Sequence, residues 1–156
     1  RGWKETLKTR ERPRLVVIGG RGGRYGEILN SLELYDPSTN EWEEGAVAPM
    51  PTARTFFGTA MLDGKLYAVG GESEAGDVTS NLVERYDLAT NAWEAVAPMA
   101  EAREYHEMAV LDGKLYAVGG QDDGYNALSS VERYDAATNA WEAVAPMATA
   151  RNHHAV

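Results

Sequence analysis

The chemistry this chain could carry rests on few residues. There are three histidines, His106, His153 and His154, and no cysteine. Without cysteine, thiol nucleophiles, disulfides and thiolate metal sites are excluded, and a reducing compartment such as the cytoplasm is the expected setting. His106-Glu107 opens the HExxH pattern, in which two histidines one helical turn apart hold zinc. The second histidine position is Val110, however, and the segment reads as strand. His153 and His154 are adjacent on an expected strand, where their side chains face opposite sides and do not share a metal. The glycine-rich run GGRGGRYG at 19–26 resembles a dinucleotide loop, yet Tyr25 stands where its last glycine belongs and no helix follows. Asp122, Asp123 and Asn126 could form a weak calcium loop, for which a solvated turn is the plainer reading. No GxSxG and no Walker lysine occur. The expectation is a chain with no catalytic residues, no metal and no cofactor.

Composition narrows the partners. The 156 residues are 44% hydrophobic, enough for one folded domain. Fifteen basic residues against 24 acidic ones leave a formal charge of −9. A nucleic-acid binder wants a basic stripe that displaces counterions, so this charge balance argues against nucleic acid as a partner. No apolar run is long enough to span a membrane, and no signal-peptide pattern opens the chain. The first residue is Arg1 rather than Met, as expected of a piece of a longer protein or a processed one.

What positions these residues is a repeat. Gly19-Gly20, Gly70-Gly71 and Gly119-Gly120 are followed by Tyr35-Asp36, Tyr86-Asp87 and Tyr134-Asp135. Each Tyr has its Trp seven residues on, at Trp42, Trp93 and Trp141, and Arg54, Arg103 and Arg151 close the units. Equivalent positions recur every 48 to 51 residues, a period that belongs to solenoids and propellers. Units two and three share LDGKLYAVGG, VERYD and ATNAWEAVAPMA letter for letter, as recent duplication or consensus engineering would produce.

The third unit shows the elements. Residues 104–111 run into Asp112-Gly113, a two-residue hairpin signal because both turn positions want positive φ. A strand over 114–118 (KLYAV), apolar as if covered on both faces, ends at the glycine pair. Double glycine suits backbone with unusual φ, or a neighbour too close for any Cβ. After a variable loop come strands over 130–134 and 140–144, joined by Asp135-Ala-Ala-Thr-Asn139, which has the residues of a tight turn. Four short antiparallel strands per unit make a propeller blade.

The order of GG, YD, seven-spaced Trp and PM-x-x-AR strongly resembles kelch repeats over about 14–156, in units of about 14–54, 55–103 and 104–151. The fold class expected is all-β: a kelch-type β-propeller of three four-stranded blades per chain, a half propeller. On this reading the repeated Trp and Tyr fill the space between blades, and the repeated Arg pairs with carboxylates or carbonyls there. The resemblance is to the substrate-recognition propeller of BTB–kelch ubiquitin-ligase adaptors. It reads 1–13 as the basic linker that precedes such a propeller.

The phase of the repeat matters too. Propellers typically have four to eight blades, and three would leave bare edges and apolar faces. The first unit has no recognisable first strand, and 151–156 looks like a first strand without its blade. The expectation is a homodimer through C-terminal strand exchange, six-bladed when closed. Function is expected on the variable loops. By resemblance, Phe56, Tyr105 and His153, two residues beyond each motif Arg, line the pocket rim and bind a protein or peptide ligand. Arg21, Arg24, Tyr25 and Tyr125 join them from the loops. Two alternatives stand beside this. One is a sugar-modifying kelch enzyme such as a sialic-acid epimerase, with Glu104 among its acid and base groups; the missing cysteine removes galactose-oxidase chemistry. The other is a designed or reconstructed half propeller whose only activity is assembly.

Overall fold

The structure is a computed structural model that describes residues 14–73 and 78–156. The stretch 1–13, read above as a linker, lies outside the described residues. The strands are all antiparallel to their neighbours, and no helix occurs among the described residues.

The first blade is the sheet β1 (Leu15–Gly22), β2 (Glu27–Asp36) and β3 (Glu41–Glu44). A small sheet follows from β4 (Arg54–Thr55), β7 (Glu72–Ser73) and β8 (Val78–Thr79). The second blade combines β5 (Gly58–Leu62), β6 (Lys65–Val69), β9 (Val83–Asp87) and β10 (Ala92–Val96). The third combines β11 (Glu107–Leu111), β12 (Lys114–Val118), β13 (Val131–Asp135) and β14 (Ala140–Val144). Described strands thus number three, four and four per blade. The small sheet was not foreseen. It forms because the chain after the motif Arg runs alongside the chain after the next glycine pair, Thr55 opposite Glu72. In the third blade the same approach leaves only the bridge Glu104–Gln121.

Turn chemistry follows the sequence. Asp112 and Gly113 have φ of 50° and 70°, and Asp63 and Gly64 repeat this at 50° and 72°, the backbone of the expected two-residue hairpin. Asn40, Asn91 and Asn139 are left-handed at φ of 60°, 52° and 50°, a conformation Asn tolerates better than most residues. The glycine pairs are required twice over. Gly119 has φ +59°, and a Cβ there would come within 2.5 Å of the Arg151 carbonyl oxygen.

The core lies between the blades. Along β6, alternate side chains face opposite sides of the sheet. Leu66 and Ala68 join Leu32, Val47, Met50 and Tyr86 against the first blade. Tyr67 and Val69 join Leu115, Ala117 and Tyr134 against the third. Both joints repeat the same polar contacts. Trp93 Nε1 donates to the Ala48 carbonyl at 2.8 Å, and Trp141 Nε1 to the Ala97 carbonyl at 2.9 Å. Asn91 Oδ1 accepts from Ala48 N at 2.9 Å, and Asn139 Oδ1 from Ala97 N at 3.0 Å. Tyr86 and Tyr134 fill the joints as expected, at 7% and 0% exposure, and each hydroxyl finds its partner within its own blade: Tyr86 donates to Asn91 Oδ1 at 2.6 Å and Tyr134 to Asn139 Oδ1 at 2.8 Å.

The motif arginines behave as expected in two units. Arg54 lies 3.2 Å from Glu84 and donates to the Gly70 and Leu82 carbonyls. Arg103 lies 2.8 Å from Glu132 and donates to the Gly119 and Ser130 carbonyls. Both are 0% exposed, and burial without such partners would cost several kcal/mol. Arg151 departs from this. It is exposed and makes no ion pair among the described residues, none of which covers it as Glu84 and Glu132 cover Arg54 and Arg103. Nor do 151–156 form a strand in the single chain. His153 is left-handed at φ 49°, so the two adjacent histidines are not strand neighbours. By their offset from the motif Arg, only Ala155 and Val156 correspond to the start of β5 and β11.

Candidate functional site

Each residue two beyond a motif Arg sits in left-handed backbone: Phe56 at φ 54°, Tyr105 at 51° and His153 at 49°. Non-glycine residues seldom adopt this conformation, and bulky ones do so at a cost. Hydrogen bonds between blades hold them there. Tyr105 N donates to the Phe56 carbonyl at 2.9 Å, and His153 N to the Tyr105 carbonyl at 3.1 Å. The side chains consequently form a stair, one step per blade. The Phe56 and Tyr105 rings are 4.2 Å apart at 28°, and the Tyr105 and His153 rings 3.9 Å apart at 36°. The Arg21 guanidinium lies 5.5 Å from the Phe56 ring centre, a cation–π contact worth about 0.5–1 kcal/mol where exposed.

Beside the stair lies a cleft of about 350 Å³. Arg21, Tyr105 and Tyr125 line it, as do Glu72, Glu104, Gln121 and Asp123. Its electrostatics are set by what is already paired. Arg21 Nη2 is 2.5 Å from Glu72 Oε1, so the one cation among the described lining residues has a carboxylate beside it. Glu104 is 5% exposed and accepts from Gln121 Nε2 at 2.8 Å. Gln121 Oε1 in turn accepts from Asn152 Nδ2 at 2.6 Å. Asp123 Oδ1 accepts from Thr79 N at 3.2 Å. Burial pushes the Tyr105 hydroxyl pKa above its usual range, and the charges of Glu104 and Glu72 push it further; Arg21 opposes them. The field at Tyr105 is therefore negative on balance.

The expected rim residues divide. Arg21, Tyr105 and Tyr125 come together at the cleft, and Phe56 and His153 extend the stair on either side of Tyr105. Tyr125, at φ 61°, is 81% exposed. Arg24 and Tyr25 are exposed at the tip of the β1–β2 hairpin, outside the cleft. Sequence reading missed Glu72 and Gln121. Their signal was available, since both hold the place after a glycine pair that Arg21 holds in the first unit. The acidic loop at 122–126 spends its carboxylate locally. Asp122 Oδ1 accepts from Gly124 N and Asn126 N, each at 2.9 Å, which holds its pKa below the ordinary range. No cluster of three metal-ligating side chains exists among the described residues. No helix long and apolar enough to cross a membrane occurs among the described residues.

A buried histidine also lies outside the lining of the cleft. His106 is 4% exposed. Burial first, and then the charge of Arg103, lowers its pKa to about 3, so its ring is neutral in the folded chain near neutral pH.

Comparison with known proteins agrees with this architecture. The family model for the KLHDC2/KLHL20/DRC7 Kelch-repeats domain matches residues 5–156. Kelch-like protein 40 of Mus musculus is 39% identical over 79 residues, which is 51% of this chain and 12% of that protein. Kelch-like protein 33 of Homo sapiens is 40% identical over 80 residues, 51% of this chain and 14% of that protein. Kelch repeat and BTB domain-containing protein 13 of Homo sapiens is 36% identical over 80 residues, 51% of this chain and 17% of that protein. The matched region thus spans under a fifth of each of these relatives. With the family model covering nearly its whole length, and sheets joined by the repeated Trp, Tyr and Arg, the chain belongs to the kelch-repeat β-propeller family and resembles kelch-like adaptors.

Proposed function

We propose that this chain is a non-enzymatic protein-interaction module that binds a polypeptide segment at the cleft beside the aromatic stair. The observation that carries the reading is the cleft's composition. Two tyrosines supply flat apolar surface, and Glu72, Glu104 and Asp123 outnumber Arg21, which already has a carboxylate 2.5 Å away. Such a lining favours a segment carrying Lys or Arg, whose stem packs on an aromatic ring while its charge meets a carboxylate. The proposed setting is the cytoplasm, in keeping with the absence of cysteine.

A peptide array tests this directly. Peptides with Lys or Arg are expected to bind above background, and their acidic counterparts are not. Glu104→Gln keeps the oxygen that accepts from Gln121 and removes the charge. It should weaken a basic peptide about tenfold, or about 1.4 kcal/mol. Preference for acidic peptides would overturn the charge assignment. No binding to any peptide would leave self-assembly as the only activity.

Self-association belongs to the same proposal. Leu15, Val17 and Leu111 are 56%, 48% and 59% exposed on the outer faces of the first and third blades. Two chains of three blades make six, within the range of closed propellers. A mass of two chains by light scattering is the expected result.

A further inference from the structure

The geometry points to Arg21 as a tethered occupant of the cleft: its guanidinium holds the place of an arginine side chain on an incoming polypeptide, which displaces it from Glu72. The group bound is then a guanidinium, in preference to the ammonium of lysine. This rests on the reading of the cleft as a site for a basic segment. It adds the chemistry of the ligand and the residue that competes with it.

Arg21 differs in kind from the carboxylates around it. They are fixed by the framework, and it reaches in on a flexible side chain. Glu72 lies on β7, paired with Thr55 on one side and with Thr79 on the other, and its side chain is 12% exposed. Glu104 forms the bridge to Gln121, and its carboxylate accepts from the Gln121 amide at 2.8 Å. Asp123 Oδ1 accepts from Thr79 N at 3.2 Å, which ties the third carboxylate to the same small sheet. Arg21 stands near the end of β1, opposite Ile28 of β2, and its side chain is 42% exposed. Its guanidinium crosses to the second blade. There Nη2 donates to Glu72 Oε1 at 2.5 Å, and Cζ lies 5.5 Å from the Phe56 ring centre. Rotation about the side-chain torsions lifts such a group away without moving a strand, and the acceptors stay in place when it leaves.

An internal occupant displays the chemistry that the site accepts. A guanidinium is planar and weakly hydrated, so it can lie on an aromatic ring while its N–H edge meets a carboxylate; a compact, strongly hydrated ammonium fits that setting less well. Glu104 and Asp123 line the same cleft, and Tyr125 stands beside them at 81% exposure. The wall thus holds more acceptors than one guanidinium uses. Position in the repeat marks Arg21 as the group that differs. Glu72 and Gln121 hold the same place after their own glycine pairs, and among the described lining residues only Arg21 carries positive charge. While Arg21 is docked the site is closed to another cation, so the apparent affinity falls by the fraction of molecules in which it is undocked.

Fluorescence anisotropy tests this on the intact chain, with a short fluorescein-labelled glycine peptide bearing a central arginine and with its lysine twin. Arg21→Ala should tighten the arginine peptide about tenfold, the effect of removing a competitor held by one ion pair and one ring contact. Arginine should remain preferred over lysine in that variant. Arg24→Ala removes the same charge from the tip of the same hairpin and should shift binding far less. Millimolar guanidinium chloride, well below denaturing concentrations, should displace the arginine peptide from the Arg21→Ala chain more than equal sodium chloride does. Glu72→Gln should cost more affinity in the Arg21→Ala background than in the parent, where it also releases the competitor. Far-ultraviolet circular dichroism confirms that each variant keeps its strands. Failure of both peptides on both the parent and Arg21→Ala would overturn the basic-segment reading and this inference with it. Parent binding that Arg21→Ala leaves equal or weakens would overturn the tethered occupant and leave the cleft reading standing. A gain from Arg24→Ala as large as that from Arg21→Ala would overturn it as well, by reducing the effect to long-range charge. Equal affinity of the Arg21→Ala chain for the two peptides would overturn the guanidinium assignment.

Discussion

The second blade and the two that flank it share the same motif residues, yet these live in different environments. On β6, Leu66, Tyr67, Ala68 and Val69 are 9%, 1%, 0% and 0% exposed, because a blade packs on each face. On β1 the equivalents Leu15, Val16 and Val17 are 56%, 37% and 48% exposed. The motif arginines make the contrast sharper. Arg54 and Arg103 are wholly buried in carboxylate and carbonyl cages, while Arg151, in the same motif, is exposed. A repeated residue in a propeller contributes through its neighbouring blade, so position along the array decides its energetic worth.

The largest test of this contrast is Arg103→Met. It leaves Glu132 buried with its ion pair gone, which should cost about 3–5 kcal/mol. Arg151→Met, measured by urea unfolding at a dilution where the chain is single, should change stability by less than about 0.5 kcal/mol. Equal losses would break the comparison.

Next in size is truncation of one Leu position in two blades. Leu115→Ala empties a fully buried site and should cost about 2–5 kcal/mol. Leu15→Ala at the same dilution should cost under about 1 kcal/mol, because most of its surface is already in water. Thermal or urea midpoints report both.

The effect that is smallest near neutral pH concerns His106, where the second joint differs from the first. The equivalent residue in the preceding unit is Phe57. The folded pKa of His106, about 3, is below the roughly 6.5 of an unfolded chain. As pH falls, the unfolded state takes up the proton first. The stabilisation from the neutral ring is thus complete above about pH 6.5 and is lost progressively toward pH 3, at up to about 1.4 kcal/mol per pH unit. Asp36, Asp87 and Asp135, whose pKa values are held down by hydrogen bonds, add acid sensitivity of their own. The difference between the parent and His106→Phe isolates the histidine. The variant should show the shallower decline of urea midpoint with acid, and identical slopes would count against this origin.

Much of the blade was legible in the chain itself. Strands over 114–118 and 140–144 stand where the turn residues that flank them place them, because hairpin chemistry is local. Asp-Gly and Asn in left-handed backbone need no distant partner to be favoured. The stair of Phe56, Tyr105 and His153 was half legible: the shared offset from the motif Arg marked the positions, and the hydrogen bonds between blades made them stack. The cleft was less so. Glu72, Glu104, Gln121 and Asp123 come from different loops, and no spacing along the chain brings their side chains to one wall.

The repeat by itself determined the family, the four-strand unit, its turns and the glycine pairs that let neighbouring backbone approach. Those features depend on φ preferences and on the two-residue period of a strand, which each segment carries with it. Which arginine is caged, which tryptophan is covered and which carboxylates share a cleft were decided only in three dimensions. Identical letters acquire different burial when a blade stands on one side of them or on both, and desolvation and pairing follow from that neighbour.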